Sequence, residues 1–468
     1  MDQKLWQRNA GELAALISSR QVTSRQVVQA HLDRIEEVNP HLNAVVRRLD
    51  ETALLAADRA DQLTGEGTRL GPLHGVPFTI KENIDVAGTP TTQSLPVLAE
   101  AYSNTNSPVV ERMIGAGAIP LARTNLPDMG LRIHTDSSLH GLTKNPWNPN
   151  RTTGGSSGGE ASAIASGMSP IGLGNDIGGS LRNPAHCCGI SSIKPTVGVV
   201  PHATEIPPTA LGLGSQLMLV QGVMARRVAD VRLGFDVVRG AHYRDPFSVD
   251  AVLHDVASDR PWRIAVMTQA PGGRTDPGIA SIVQQSGEYL ASLGHQVTVD
   301  QPPRFEEVVE MWGALLNYEL SPLQALLDGV MGDGARQFLE FGRATFAAQT
   351  PEQMIFQHAT RYEIAMEWST WFENYDVLLS PTWSLPAFEH GFDIAGLEEA
   401  REVLETFRTV LPQNYLGSPS VVVPAGISEG LPVGVQISAW RYHDLKCLSV
   451  AELIDQKMGL STPIEPRK

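Results

Sequence analysis

The segment Thr152–Pro195 reads TTGGSSGGEASAIASGMSPIGLGNDIGGSLRNPAHCCGISSIKP, and its reading decides the fold. From Gly154 to Gly198, eleven of 45 residues are glycine, well above the roughly 7% of average proteins. Glycine at that density lets backbone pass close to a ligand or adopt positive φ. Two clusters stand out, Gly154-Gly155-Ser156-Ser157-Gly158-Gly159 and Gly178-Gly179-Ser180. Each joins hydroxyls to bare backbone N–H groups, the materials of a nucleophile beside an oxyanion hole. A flexible glycine–serine linker would share the composition. A linker, however, has no use for the helical run Ala161–Ala165 or the apolar Ile171-Gly172-Leu173 between its clusters.

The stretch resembles the amidase signature family, whose hallmark is a GGSSGG run followed by G-x-D-x-G-G-S. The second run is here Gly174-Asn175-Asp176-Ile177-Gly178-Gly179-Ser180, and Ser156 and Ser180 lie 24 positions apart, as in the family. The family usually has Thr where this chain has Asn175, a polar-for-polar swap that leaves both serines in place. Upstream, the short strand candidate Val76–Ile80 leads into Lys81. Taken alone, that lysine reads as a surface residue, because Lys is almost never fully buried unless paired. The resemblance reverses the reading: Lys81-Glu82-Asn83 matches the family's G-x-P-x-x-x-K-D/E-N segment, which supplies a catalytic lysine. Ile193–Gly198, Gly222–Arg226, Asn414–Pro419, Val421–Pro424 and Leu431–Ile437 also resemble family segments. The resemblance spans most of the chain and is weakest at about 240 to 373.

Around this core the elements alternate. Thr23-Ser24-Arg25-Gln26 has capping-box spacing, and Val27, Val28, Leu32, Ile35 and Val38 recur at helical intervals. Asn39-Pro40 is expected to end that helix, with a third helix over Glu51–Leu63. Ser107–Gly115 with Ala118–Ala122, and Arg263–Val266 with a helix near Ile282–Leu293 and Gln296–Val299, read as αβ units. Continuous apolar strands indicate a sheet covered on both faces. The expected fold is α/β, a single large domain with a central twisted mixed β-sheet covered by helices on both faces. Its parts are N-terminal helices (1–66), the signature core (70–240), a variable helical region that shapes the pocket (241–373), and C-terminal strands and a helix (374–468).

Amide hydrolysis through an acyl-enzyme needs an activated nucleophile, an oxyanion hole and an acid for the departing amine. The resemblance implies all three. Ser180 is the nucleophile, Ser156 relays protons from behind a cis peptide bond, and Lys81 starts the relay as a base. The N–H groups of Ile177, Gly178, Gly179 and Ser180 form the oxyanion hole. Met129, Gly130, Leu131 and Arg132 border the acyl pocket, and Asp176 pairs with Arg182 to hold the loop. To act as a base Lys81 must be neutral, so its pKa must fall from about 10.4 toward 7 to 8. Gly154-Gly155-Ser156-Ser157-Gly158 also fits the G-x-S-x-G nucleophile elbow, but that elbow follows a strand. Asn145–Thr153 holds Pro146, Pro149 and three asparagines.

Composition narrows the rest. The 468 residues carry a net charge of −15, which argues against nucleic-acid binding and anionic membranes. The three cysteines, two of them adjacent, do not form a disulfide framework and point to a reduced, cytoplasmic setting. The start carries Asp2 and Glu12 and no long apolar run, so neither a signal peptide nor a membrane span is expected. His134 and His140 lack a Cys or His partner at ligand spacing, and His186-Cys187-Cys188 sits inside the signature helix, so no metal and no cofactor is expected. Residues 305–373 are rich in Met311, Trp312, Leu315, Leu316, Tyr318, Phe338 and Phe341. That points to an apolar pocket for neutral aryl or alkyl amides, with esters and carbamates open to the same acyl-enzyme route. Arg132, Arg336 and Arg343 are the few candidates to meet a carboxylate. Two other classes stand beside this serine amidohydrolase, acting alone as a monomer or homodimer. One is the ammonia-generating subunit of a tRNA-dependent amidotransferase, although the long extra C-terminal segment expected of it is not seen after Val377. The other is a non-catalytic binding homologue, at odds with the joint presence of Lys81, Ser156 and Ser180.

Overall fold

Five consecutive buried residues, Pro77–Lys81, form a strand with no solvent-facing side. The same full burial recurs in Ile171–Asp176, Ser191–Lys194, Val220–Ala225, Val377–Pro381 and Leu431–Ser438. Such strands require cover on both faces. The computed structural model, which describes residues 4–68, 71–253 and 260–467, supplies it. Leu70, where the signature core is expected to begin, lies outside the described residues.

In chain order the described strands are β1 (Val45–Arg48), β2 (Pro77–Lys81), β3 (Ile119–Thr124), β4 (Asp136–Ser137), β5 (Gly141–Leu142), β6 (Ile171–Asp176), β7 (Ser191–Lys194), β8 (Val220–Ala225), β9 (Arg263–Val266), β10 (Gln296–Val299), β11 (Val377–Pro381), β12 (Ser420–Ser428) and β13 (Leu431–Ser438). Eleven of them make one sheet in the order β1-β3-β2-β6-β8-β7-β12-β13-β11-β9-β10, while β4 and β5 pair separately. The sheet is mixed: β3-β2-β6 and β11-β9-β10 run parallel within each group, and the pairs from β6 through β8, β7, β12 and β13 to β11 are antiparallel. Side chains of one strand feed opposite faces. Val421 and Val423 enter one apolar core with Phe78 and Phe235, and Val422 enters the other with Leu181 and Trp368. The fold is thus the single α/β domain with a covered mixed sheet that the sequence implies.

Two local expectations give way. The helix expected to stop at Asn39-Pro40 continues from Ser24 to Leu42. Pro40 falls in its last turn, where it forfeits the one hydrogen bond its N–H would make to the Glu36 carbonyl, and Asn43 closes the helix with φ 51°. The N-terminal segment, read as all helix, contains β1, an edge strand antiparallel to β3. Its outer residues Arg47 and Arg48 are exposed charges, which suit an edge but break the apolar pattern that marks a strand.

The arrangement that positions the site is the parallel pair β2 and β6, in register at Thr79↔Gly172 and Ile80↔Leu173. Both strands therefore end on the same side, β2 at Lys81 and β6 at Asp176, just before Ile177–Ser180. The carboxyl ends of parallel strands are where open α/β sheets bind ligands.

Candidate active site

Lys81 is fully buried, and its Nζ lies 2.6 Å from Ser156 Oγ and 2.6 Å from Asn175 Oδ1. Burial pulls its pKa from 10.5 to about 7, against the upward pull of Asp176 and Glu160. An ammonium that loses water and gains no direct carboxylate partner is easily deprotonated. Asn175 in turn donates from Nδ2 to Asn83 Oδ1 at 2.9 Å, so an amide pair fixes the acceptor beside the lysine. The Gly155–Ser156 peptide is cis, as the family implies.

Glu160 projects from the helix Gly158–Ala165 toward β2 and accepts from Thr124 Oγ1 at 2.7 Å and from Thr79 Oγ1. It has room only because residue 172 is glycine: a Cβ there would sit 1.7 Å from Glu160 Oε1. Burial pushes the Glu160 carboxyl up to about 7, against the two threonine hydrogen bonds and Lys81.

The loop after β6 is held peptide by peptide. The Ile177 carbonyl accepts from the Trp312 indole at 2.9 Å, and the Gly178 carbonyl accepts from Asn183 Nδ2 at 3.2 Å. The Gly179 carbonyl accepts from the Asn183 N–H at 2.6 Å, and the Ser180 carbonyl from the Ser157 N–H at 3.2 Å. With the carbonyls tied back, the Ile177, Gly178 and Ser180 N–H groups have no protein acceptor among the described residues. Gly179, one of the four expected donors, differs. Its N–H donates to Asp176 Oδ1 at 2.8 Å, because the loop curls over that carboxylate.

Asp176 and Arg182 form a fully buried two-pronged pair with both contacts at 3.0 Å. Burial alone would raise the Asp176 carboxyl, but Arg182, Lys194 and Asn414 together outweigh it and hold the carboxyl well below the usual range. Arg182 also donates to Val410 O at 2.7 Å, Gln436 Oε1 at 2.8 Å and Asn414 Oδ1 at 2.5 Å. A buried ion pair with every donor satisfied anchors the loop that carries Ser180.

Ser180 stands where two cavities meet. One is walled by Trp312, Leu316, Phe338, Phe346, Leu404 and Phe407. The other, more polar, holds Asn83, Ser156, Asn175, His202, Thr204 and Glu319. Gly130 and Leu131 line both, Met129 the polar one and Arg132 the apolar one. Arg132 has little charge to offer a substrate, since it is buried against Asp393 with contacts of 2.6 and 2.9 Å. Arg336 is tied to Asp333 and to Asp328 O.

Sequence reasoning missed the roles of Glu160, Asn183, Leu404 and Phe407. Glu160 left a signal, being the one carboxylate in the run of small residues from Gly154 to Ala165. Asn183 and Phe407 left none, because their meaning lies in contacts distant in the chain.

An indoleacetamide hydrolase from Bradyrhizobium diazoefficiens is 37% identical over 97% of this chain and 87% of its own length. An acylamidase from Rhodococcus erythropolis is 32% identical over 96% of this chain and 95% of its own. A glutamyl-tRNA(Gln) amidotransferase subunit from Salinispora tropica, at 30% over 97% of this chain and 98% of its own, is a more distant relative. The solved structure of a bacterial aryl acylamidase superposes with a TM-score of 0.84 at 26% identity, covering 98% of this chain and 96% of that one. The model of the Amidase family matches residues 26–448. Amide C–N hydrolysis is the common thread of the hydrolases among these relatives, and the chain belongs to the amidase family.

Proposed function

We propose that the chain hydrolyses neutral aryl or alkyl amides through an acyl-enzyme on Ser180, with Ser156 and Lys81 as its proton relay. The carrying observation is the 2.6 Å contact between Ser156 Oγ and a fully buried Lys81 whose pKa falls to about 7. In the neutral form Lys81 Nζ accepts the Ser156 proton while Ser156 accepts that of Ser180. Ser180 Oγ bonds to the substrate carbonyl carbon, whose oxygen takes the electron pair and is met by the free Ile177, Gly178 and Ser180 N–H groups. The tetrahedral intermediate collapses, the C–N bond breaks, and the leaving nitrogen takes the proton back through Ser156. Water then repeats the sequence on the acyl-enzyme and releases the acid.

The apolar cavity and the engaged charge of Arg132 support a neutral acyl group. The relatives named for indoleacetamide and acylamide hydrolysis support an aryl or alkyl one. Esters and carbamates pass through the same oxyanion and follow the same route. A reduced, cytoplasmic setting suits the three unpaired, buried cysteines.

The test compares indole-3-acetamide, an acyl anilide and a dicarboxylic amide of matched length, with mass spectrometry of the trapped acyl-enzyme. The expected result is an adduct on Ser180 and preference for the neutral amides. Preference for the charged amide by more than about tenfold, or 1.4 kcal/mol in transition-state binding, would overturn the neutral-acyl reading.

A further inference from the structure

The helix Phe305–Leu320 belongs to the region of weakest family resemblance, yet it reaches the nucleophile loop. Trp312 on this helix donates its indole N–H to the Ile177 carbonyl at 2.9 Å. That carbonyl and the Gly178 N–H are opposite ends of one planar trans peptide, so fixing the first fixes the direction of the second. The approach is close: a Cβ on residue 178 would lie 2.5 Å from Trp312 Cζ2. The ring is held edge-on by Phe346 and Phe407, with centroids 6.3 Å away in each case. The loop's other carbonyl restraints come from Asn183 and Ser157, inside the signature stretch. The Gly178 donor is set by an indole outside it, as the Ile177 donor is by Asn414, whose amide reaches the Asp176 carbonyl at 3.4 Å.

We propose that Trp312 is a positioning residue for the oxyanion hole: it aims the Gly178 N–H through the Ile177 carbonyl while its ring forms a wall of the apolar cavity. The inference rests on the neutral-acyl reading above and deepens it. An acyl group that packs on the ring presses on the side chain that sets the donor. A good fit in this cavity therefore raises kcat and does more than lower KM, since the contact is coupled to an interaction that matters in the transition state. A polar side chain in this place would hold the peptide equally well but would lose the coupling to apolar substrates.

Trp312→Phe removes the N–H and keeps a ring in the wall. Loss of one oxyanion donor costs about 10²–10³ in kcat in a comparable hydrolase. Misaiming one should cost about tenfold or more in kcat, with KM within about twofold for an acyl anilide. Affinity for a trifluoromethyl ketone, which forms an oxyanion adduct with Ser180, should fall in step with kcat/KM. Affinity for the matching secondary alcohol, which forms none, should stay unchanged. Replacing Trp312 with 3-benzothienylalanine keeps the bicyclic shape and removes only the donor, so it carries the same expectation if the phenylalanine variant folds poorly by circular dichroism. Unchanged kcat in either folded variant overturns the proposal, as does an equal loss of affinity for ketone and alcohol, which a mere wall residue would give. Should wild-type enzyme prefer charged amides, the neutral-acyl reading fails on its own, and the ketone-to-alcohol comparison still tests Trp312.

Discussion

Two lysines end two buried strands of the same sheet, Lys81 on β2 and Lys194 on β7. Both are fully buried, and burial is the largest cause bringing each from 10.5 to about 7. They differ in what they touch. Lys81 Nζ reaches the Ser156 hydroxyl, which has a proton to give, whereas Lys194 Nζ donates to the Pro195 carbonyl at 2.9 Å, which has none. Around Lys194 the remaining influences are Arg182 and Arg441 pushing its pKa down and Asp176 and Asp444 pushing it up. A depressed pKa makes an amine available as a base, but only a proton donor in reach makes it one. The perturbed pKa alone would have named two catalytic lysines where the geometry supports one.

The largest effect should come from exchanging the fates of the two residues. Lys81→Met is expected to lower kcat by about 10³ or more with the fold retained, as for other members of a catalytic unit. Lys194→Met, which strands one buried carbonyl, should shift unfolding free energy by about 1–3 kcal/mol and keep kcat within about fivefold. Parallel steady-state assays and urea melts read both, and a comparable collapse of kcat in the two variants would break the comparison. Ser156→Ala tests the proton path that distinguishes Lys81. It should cost about 10²–10⁴ in kcat, the usual range for general acid–base groups. Retention of most activity would mean that Lys81 reaches Ser180 without it.

The pH profile gives a smaller and more discriminating effect. In the proposed relay neutral Lys81 is the active form, so kcat/KM should fall about tenfold per unit below a limb near the lysine pKa of about 7 and level off above it. Glu160 raises that pKa, so Glu160→Gln should move the limb to lower pH. A shift to higher pH would contradict the sign. Lys194→Met should leave the limb in place, because the group that titrates there makes no contact with the relay. The smallest expected effect concerns Arg132. Asp393→Asn frees its guanidinium and should raise the relative kcat/KM for a dicarboxylic amide by about fivefold, less than one full charge contact. No gain would mean that the Arg132 charge is not what the apolar cavity keeps silent.

The contrast between the lysines also shows what the sequence could reveal. Lys81 was readable because Lys81-Glu82-Asn83 matches the segment in which the family carries its lysine. The mixed sheet followed from uninterrupted apolar runs such as Val421–Val423. Lys194 ends the strand Ser191–Lys194 in a segment that also resembles the family, and nothing in its neighbours says whether a hydroxyl or a carbonyl faces its Nζ. The same blindness hid Phe407 and Asn183, which matter through partners far away in the chain. It hid β1, whose arginines answer to a position at the sheet edge and not to a local propensity. The oxyanion loop was half legible: the glycines announced a tight turn, but which N–H groups it leaves unengaged depends on Asp176 curling under Gly179, a matter of a few ångströms.

Arg182 takes its partners Val410, Asn414 and Gln436 from positions 228, 232 and 254 residues downstream. Every group of the relay is therefore synthesised long before the residues that brace it. Chains emerge at about 5–20 residues per second, so the reactive serine spends on the order of ten seconds or more without its supports. Ribosome-bound chains ending near residue 400 should accordingly remain silent toward an activated ester. The late segment from Val410 to Gln436 acts as a safety catch, released only when nearly the whole polypeptide is available to fold.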